Sequence, residues 1–243
     1  MSALGHYLEE EGVATVTISL FRPQTENTRP PRALWVPFEP GRPFGPPSEP
    51  VFQKRVTRAA LQLLERDSGP VILEDFPDDD PRAQPDPLWH PPQVPGADAA
   101  GTMQALAARL EREIPLLQSA HDRWRARHGR TTIGLSGLSL EDCGHYMGLW
   151  LRREPAPSPR DGFSPILMLR FAVDDLKAYY LEAAAAGIGK PSSRQLGDWF
   201  WNDTAAGASI IALRAIGLAS ADERLSAILG NFMVPAARVA LMS

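Results

Sequence analysis

Val13-Ala-Thr-Val-Thr-Ile-Ser-Leu20 is β-branched and almost continuously apolar. That is the pattern of a strand buried on both faces, as in a parallel sheet, and it directs the reading of everything around it. Just before it, Leu8 to Glu11 end a short helix that closes near Gly12. After it comes a proline-rich passage from Arg22 to Pro50, inside which Ala33-Leu-Trp-Val36 reads as a short strand. Phe52 to Glu65 places Val56, Ala59, Ala60, Leu63 and Leu64 at helical spacing. A turn at Asp67-Ser-Gly69 leads into a second buried strand, Pro70-Val-Ile-Leu73. Strand, helix, strand in this order implies a parallel crossover. Two or three strands make a poor sheet alone, so more strands must hide in the loops or a partner chain must complete the layer.

Of 24 prolines, 17 lie between Pro23 and Pro95. Each removes a backbone donor and crowds the preceding turn, so that stretch cannot be helical throughout. An acidic, proline-rich segment runs from Glu74 to about Gly96. Helical patterning then dominates. Ala99 to Arg127 reads as a long helix bent or broken at Pro115. Ser139 with Asp142 forms an approximate capping box for a helix to about Arg153. Glu154 to Asp161 is a linker. Ser164-Pro165 opens a helix to about Ala186, stopped at Gly187. Ser193 to Ile216 reads as one helix, and Ser220 with Glu223 caps a last one to about Leu229. The expectation is α/β to α+β: a small parallel-sheet element with proline-rich loops over residues 1–97, packed on a helical region over 98–243.

The 243 residues are 44% apolar and 22% charged, with a net charge of −4. Such a balance gives no case for nucleic acid as a partner. No apolar run reaches the roughly 18 residues that cross a bilayer. The opening MSALGHYLEEEG has neither a basic nor an apolar leader region, so a cytoplasmic location is expected. The single cysteine, Cys143, excludes an intramolecular disulfide and a cysteine-rich metal site.

Leu8-Glu-Glu-Glu-Gly-Val-Ala-Thr-Val-Thr-Ile-Ser19 and Trp35-Val-Pro-Phe-Glu-Pro-Gly-Arg-Pro-Phe-Gly45 resemble the selenoprotein B family of the glycine, sarcosine, betaine and D-proline reductases. In that family a helix ends at a glycine, a buried strand follows, and a passage of spaced prolines and glycines comes next. The resemblance covers about residues 6–66. It implies a subunit of the type that reductively cleaves a carbon–nitrogen bond, and so an oxidoreductase. That chemistry needs a selenol or thiol upstream of the glycine, and none of the residues preceding Gly12 is Cys. Ser2 and Tyr7 offer no comparably soft anion. The resemblance therefore implies a reductase-like protein without its nucleophile, and it carries no catalytic residue or cofactor onto this chain.

Five groups are candidates for chemistry. Arg22, Arg29, Arg32 and Arg42 crowd the loops after the first strand, where open α/β sheets bind ligands, and could clamp a small anion. Pairing with Glu26, Glu39 and Glu49 is the competing role. Glu74 and Asp75, followed by Asp78, Asp79 and Asp80, could hold a hard cation or simply be solvated. His121 and His128 share a helix face but have no evident third zinc ligand. Cys143 is a nucleophile candidate in the first helical turns, against the commoner role of a buried apolar residue. Lys177, near Asp174, and Asp198, Trp199 and Trp201 could line a pocket for a cationic or aromatic ligand, or anchor the core. The functional expectations are a small anionic ligand or a partner subunit; an enzyme of divergent chemistry using Cys143 or a metal at the acidic loop; or a homo-oligomeric helical scaffold, such as a homodimer.

Overall fold

The computed structural model describes residues 2–66, 68–95, 101–154, 156–231 and 233–240. The chain forms two compact units, 1–84 and 85–243. The expected boundary at 97/98 lies outside the described residues. The segment before it belongs with the helices. The Asp86 carboxylate accepts the Lys190 N–H at 2.6 Å, and Trp89 Nε1 donates to the Ala184 carbonyl at 3.1 Å.

The N-terminal unit opens with helix α1 (Ser2–Glu10), and Gly12 turns the chain at φ 81°. Three short strands follow: β1 (Thr17–Ser19), β2 (Arg32–Trp35) and β3 (Ile72–Asp75). They pair in parallel in the order β1-β2-β3, with Ser19, Trp35 and Asp75 in one register row. The strands are shorter than the apolar runs imply. Only β2 has buried residues, Ala33 and Leu34; β1 and β3 lie at the two edges and are half-covered. The first crossover contains a helix, α2 (Arg22–Thr28), where a loop was expected. Its sequence, RPQTENT, lacks apolar periodicity; Pro23 in the first turn and Arg29 in a left-handed cap delimit it. The second crossover is α3 (Pro50–Gln62), extended by a 3-10 turn to Glu65. Its Val56, Ala60 and Leu63 close a core with Leu34, Val36, Phe38 and Phe76. The turn expected at Asp67 to Gly69 falls partly outside the described residues.

The C-terminal unit is helical: α4 (Met103–Glu113), α5 (Gln118–His128), α6 (Leu140–Leu151), α7 (Pro165–Ala185), α8 (Ser193–Asp203), α9 (Ala205–Leu218), α10 (Glu223–Asn231) and α11 (Ala236–Ala240). The start of the expected helix at Ala99, and Pro155 in the expected linker, lie outside the described residues. Pro115 sits in a 3-10 turn, Ile114–Leu117, that separates α4 from α5. α7 is the hub, touching α5, α6, α8, α9 and α10. Its Leu169, Val173, Leu176, Tyr179, Tyr180 and Ala183 are fully buried. Each large apolar side chain removed from water there stabilises the unit by about 1.5–3 kcal/mol.

Two helix boundaries differ from expectation. The stretch Ser193 to Ile216 is two helices, broken at Thr204, whose backbone is extended (φ −104°, ψ 148°). The Thr204 hydroxyl donates back to the Phe200 carbonyl at 2.6 Å and accepts the Gly207 N–H at 3.0 Å, capping α9. The last cap is Asp222 rather than Ser220: Asp222 Oδ1 accepts the N–H groups of Arg224 and Leu225. The caps of α6 and α7 are Ser139 and Ser164, each accepting an N–H three residues on.

Candidate functional site

In the N-terminal unit, the carboxyl ends of β1 and β3 are joined by a charge pair. Arg22, in the first turn of α2, reaches Asp75, the last residue of β3, with Nε to Oδ1 at 3.2 Å; it also pairs with Glu26. The bridge thus links the two outer strands across the central one. Ser19, Trp35 and Asp75 are in register, so their side chains leave the sheet on the same face. The Ser19 and Thr25 hydroxyls bond each other. Trp35 Nε1 is buried and finds no acceptor among the described residues. A buried donor without a partner costs about 1–3 kcal/mol, which an incoming acceptor would recover. Arg22 and Asp75 are each 39–47% exposed at the side chain. Such a pair is worth about 0–1 kcal/mol, so opening it for a ligand costs little.

A second pair lies beyond the same strand ends. Arg55 on α3 bonds Asp78, and its guanidinium stands 5.7 Å from the Phe52 ring and 5.9 Å from Phe76. Phe38, Phe52 and Phe76 form a mutually packed triad with centroids 5.5–5.9 Å apart. The triad draws one ring from each of three distant segments, so local patterning could not group them.

The four arginines read from the sequence do not form one cluster. Arg22 lies at the carboxyl end of the sheet. Arg32 begins β2 at the opposite end, half-buried, with Nη1 2.5 Å from Glu9. Arg29 is exposed in the left-handed cap of α2. Arg42 pairs with Glu39 at 3.9 Å in the loop after β2. Glu74 and Asp75 project from opposite faces of β3; Glu74 pairs with Arg66 and Asp75 with Arg22. Among the described residues, no three His, Cys, Asp or Glu side chains come together as a metal site.

In the helical unit, Cys143 is fully buried, its Sγ 3.3 Å from the Ser136 hydroxyl. Burial pushes its thiol up to about 11, and the Asp175 charge adds to that, against the Ser136 hydrogen bond. A thiol held protonated offers no nucleophile at neutral pH. His145 lies apart and exposed, 3.4 Å from Glu111.

His121 is buried against Glu182 at 2.9 Å, while His128 stacks on Trp124. Glu182 also accepts from Thr131 and from both the N–H and hydroxyl of Thr132. Burial tends to raise its pKa, but these hydrogen bonds outweigh that and hold it below the ordinary carboxylate value. Two turns earlier on α7, Asp175 accepts the N–H groups of Gly134, Leu135 and Ser136. The pair pins the loop between α5 and α6.

Lys177 and Trp201 do meet. The ammonium is 5.7 Å from the indole ring, 3.9 Å from Asp174 Oδ1, and donates to the Met233 carbonyl at 2.6 Å. Burial pushes it down to about 8 against the pull of Asp174. Trp199 is buried beside Tyr180, and Asp198 is exposed, so neither joins Lys177 in one pocket.

No protein-family model, curated protein or solved structure matches this chain. Among the described residues, no helix is long and apolar enough to cross a membrane.

Proposed function

We propose that the N-terminal unit binds a small carboxylate-bearing molecule at the carboxyl ends of its three strands, and that the chain is a reductase-like protein. The observation that carries the binding reading is the Arg22–Asp75 bridge between the outer strands, with the unpartnered Trp35 indole N–H on the same face of the sheet. Guanidinium suits a carboxylate in its planar, two-bond geometry. The adjacent Asp75 supplies the opposite charge, so a zwitterion is recognised at both ends when the bridge opens. The crevice beyond the carboxyl ends of parallel strands is the usual ligand position in open α/β sheets.

The resemblance of residues 6–66 to the reductase subunits names the ligands to try: glycine, sarcosine, betaine and proline. Isothermal titration of the intact chain should show saturable binding of one of them. Arg22→Gln should weaken it by about tenfold or more, the scale of one lost charge-assisted contact. Absence of binding to all four, or binding that Arg22→Gln leaves unchanged, overturns the reading.

A further inference from the structure

The basic residues of the protein are not used evenly. Arg22, Arg32, Arg42, Arg55, Arg66, Arg152 and Arg170 each lie within ion-pair distance of a carboxylate. Arg123-Trp-Arg-Ala-Arg-His-Gly-Arg130, at the end of α5, gathers four arginines in eight residues. Its four arginines are exposed, and none has a carboxylate partner among the described residues. Here lies an open groove of about 550 Å³, lined by Asp122, Arg125, Ala126, Gly129, Arg130 and Thr131. Its volume is in the range of about 300–1,000 Å³ that small-molecule sites occupy.

Helix stability accounts for only part of the cluster. Cations in a last turn offset the negative end of the helix dipole, by about 0.3–1 kcal/mol each, and the effect fades beyond that turn. Arg125, Arg127 and His128 already serve this role. Arg130 lies past Gly129, whose left-handed backbone (φ 66°) ends α5, and it lines the groove together with Arg125. The wall is fixed from beneath: Thr131 Oγ1 donates to Glu182 at 2.7 Å, and the same carboxylate oxygen meets His121 at 2.9 Å. Arg125 and Arg130 bring two guanidinium groups to this wall. Asp122, which accepts from Gln118 at 2.9 Å, adds one acceptor at the rim, suited to a hydroxyl.

We infer that this groove is a phosphate-binding site, in which Arg125 and Arg130 clamp the phosphoryl group of a small, hydroxyl-bearing ligand. The arginine fork matches phosphate oxygens two at a time, as a lysine ammonium does not. The assignment is independent of the ligand site at the sheet.

Inorganic pyrophosphate is the probe. Calorimetric titration of the full chain at low salt should give one saturable site, weakened as salt rises. Arg125→Gln/Arg130→Gln, checked for fold by circular dichroism, should lose affinity by about tenfold or more. Arg22→Gln should not change it, which separates this site from the one at the sheet. No binding of pyrophosphate, or equal binding by the double variant, overturns the assignment. So does binding of a single-stranded oligonucleotide that pyrophosphate cannot displace, which would make the arginines a polyanion surface instead.

Discussion

Ser136 gives its hydroxyl to Asp175 Oδ2 at 2.5 Å and its backbone N–H to the same oxygen at 2.9 Å. Both residues are essentially buried. With the Gly134 and Leu135 N–H groups on the other oxygen, the carboxylate accepts four hydrogen bonds, two of them from the buried Ser136. Asp175→Asn replaces one acceptor oxygen by an NH2 facing donors. A loss of about 2–4 kcal/mol is expected, read as a lower denaturation midpoint in urea.

Cys143 shares that Ser136 hydroxyl. With its thiol buried and pushed up to about 11, it should not react with a disulfide reagent at neutral pH in the native protein. It should react at once when the chain is unfolded in guanidinium chloride. Rapid labelling of the native protein would contradict the placement of Cys143 in the core.

Glu113 is buried and accepts the Ala205 N–H at 2.9 and 3.0 Å. Burial raises its pKa above the ordinary 4.5, and the Ala205 hydrogen bond only partly offsets this. The folded protein therefore holds this proton more tightly than the unfolded chain. Its contribution to stability is full below 4.5 and is lost as pH rises through the raised value. Glu182 has the opposite sign: its contribution is present above 4.5 and is lost as pH falls through its lowered value. Melting temperatures across the acid range should show Glu113→Gln removing a fall in stability with rising pH. Glu182→Gln should remove a rise.

Gly207 is where α9 crosses the end of α8. A methyl group there would sit 2.1 Å from the Phe200 carbonyl oxygen, a backbone atom that cannot step aside. Gly207→Ala should destabilise the protein by about 1–3 kcal/mol. Gly197, inside α8, has nothing within 4 Å of the same position. Gly197→Ala should be neutral or stabilising by up to about 1 kcal/mol, because alanine loses less chain entropy in a helix. Chemical denaturation of both variants checks the contrast.

The parts of this fold legible in the sequence are those written locally. The β-branched run after Gly12, the helical spacing of Val56 to Leu64 and the Ser139 and Ser164 caps each lie within one short window, and each marks an element of the structure. What the sequence hides depends on distant partners. Thr204 breaks a helix because its hydroxyl and Glu113 take the first N–H groups of α9, and nothing between Ser193 and Ile216 announces Glu113. α2 has no apolar stripe to betray it. At the sheet, Arg22 was visible as one arginine among four. Its singling out by Asp75, 53 residues away, follows only from the parallel register. The spacing of arginines at 123–130 is plain in the sequence, but their lack of carboxylate partners is a property of the fold.

The most direct test of the ligand site at the sheet is the Trp35 indole N–H, followed by 15N-resolved NMR and assigned with Trp35→Phe, while glycine, sarcosine, betaine or proline is added. Because this donor is buried without an acceptor, a ligand carboxylate that reaches it should shift its proton resonance downfield along a saturating curve. Arg22→Gln should abolish that curve. If all four ligands leave the Trp35 resonance in place, or move it equally in Arg22→Gln, the carboxyl end of the sheet is not the binding site.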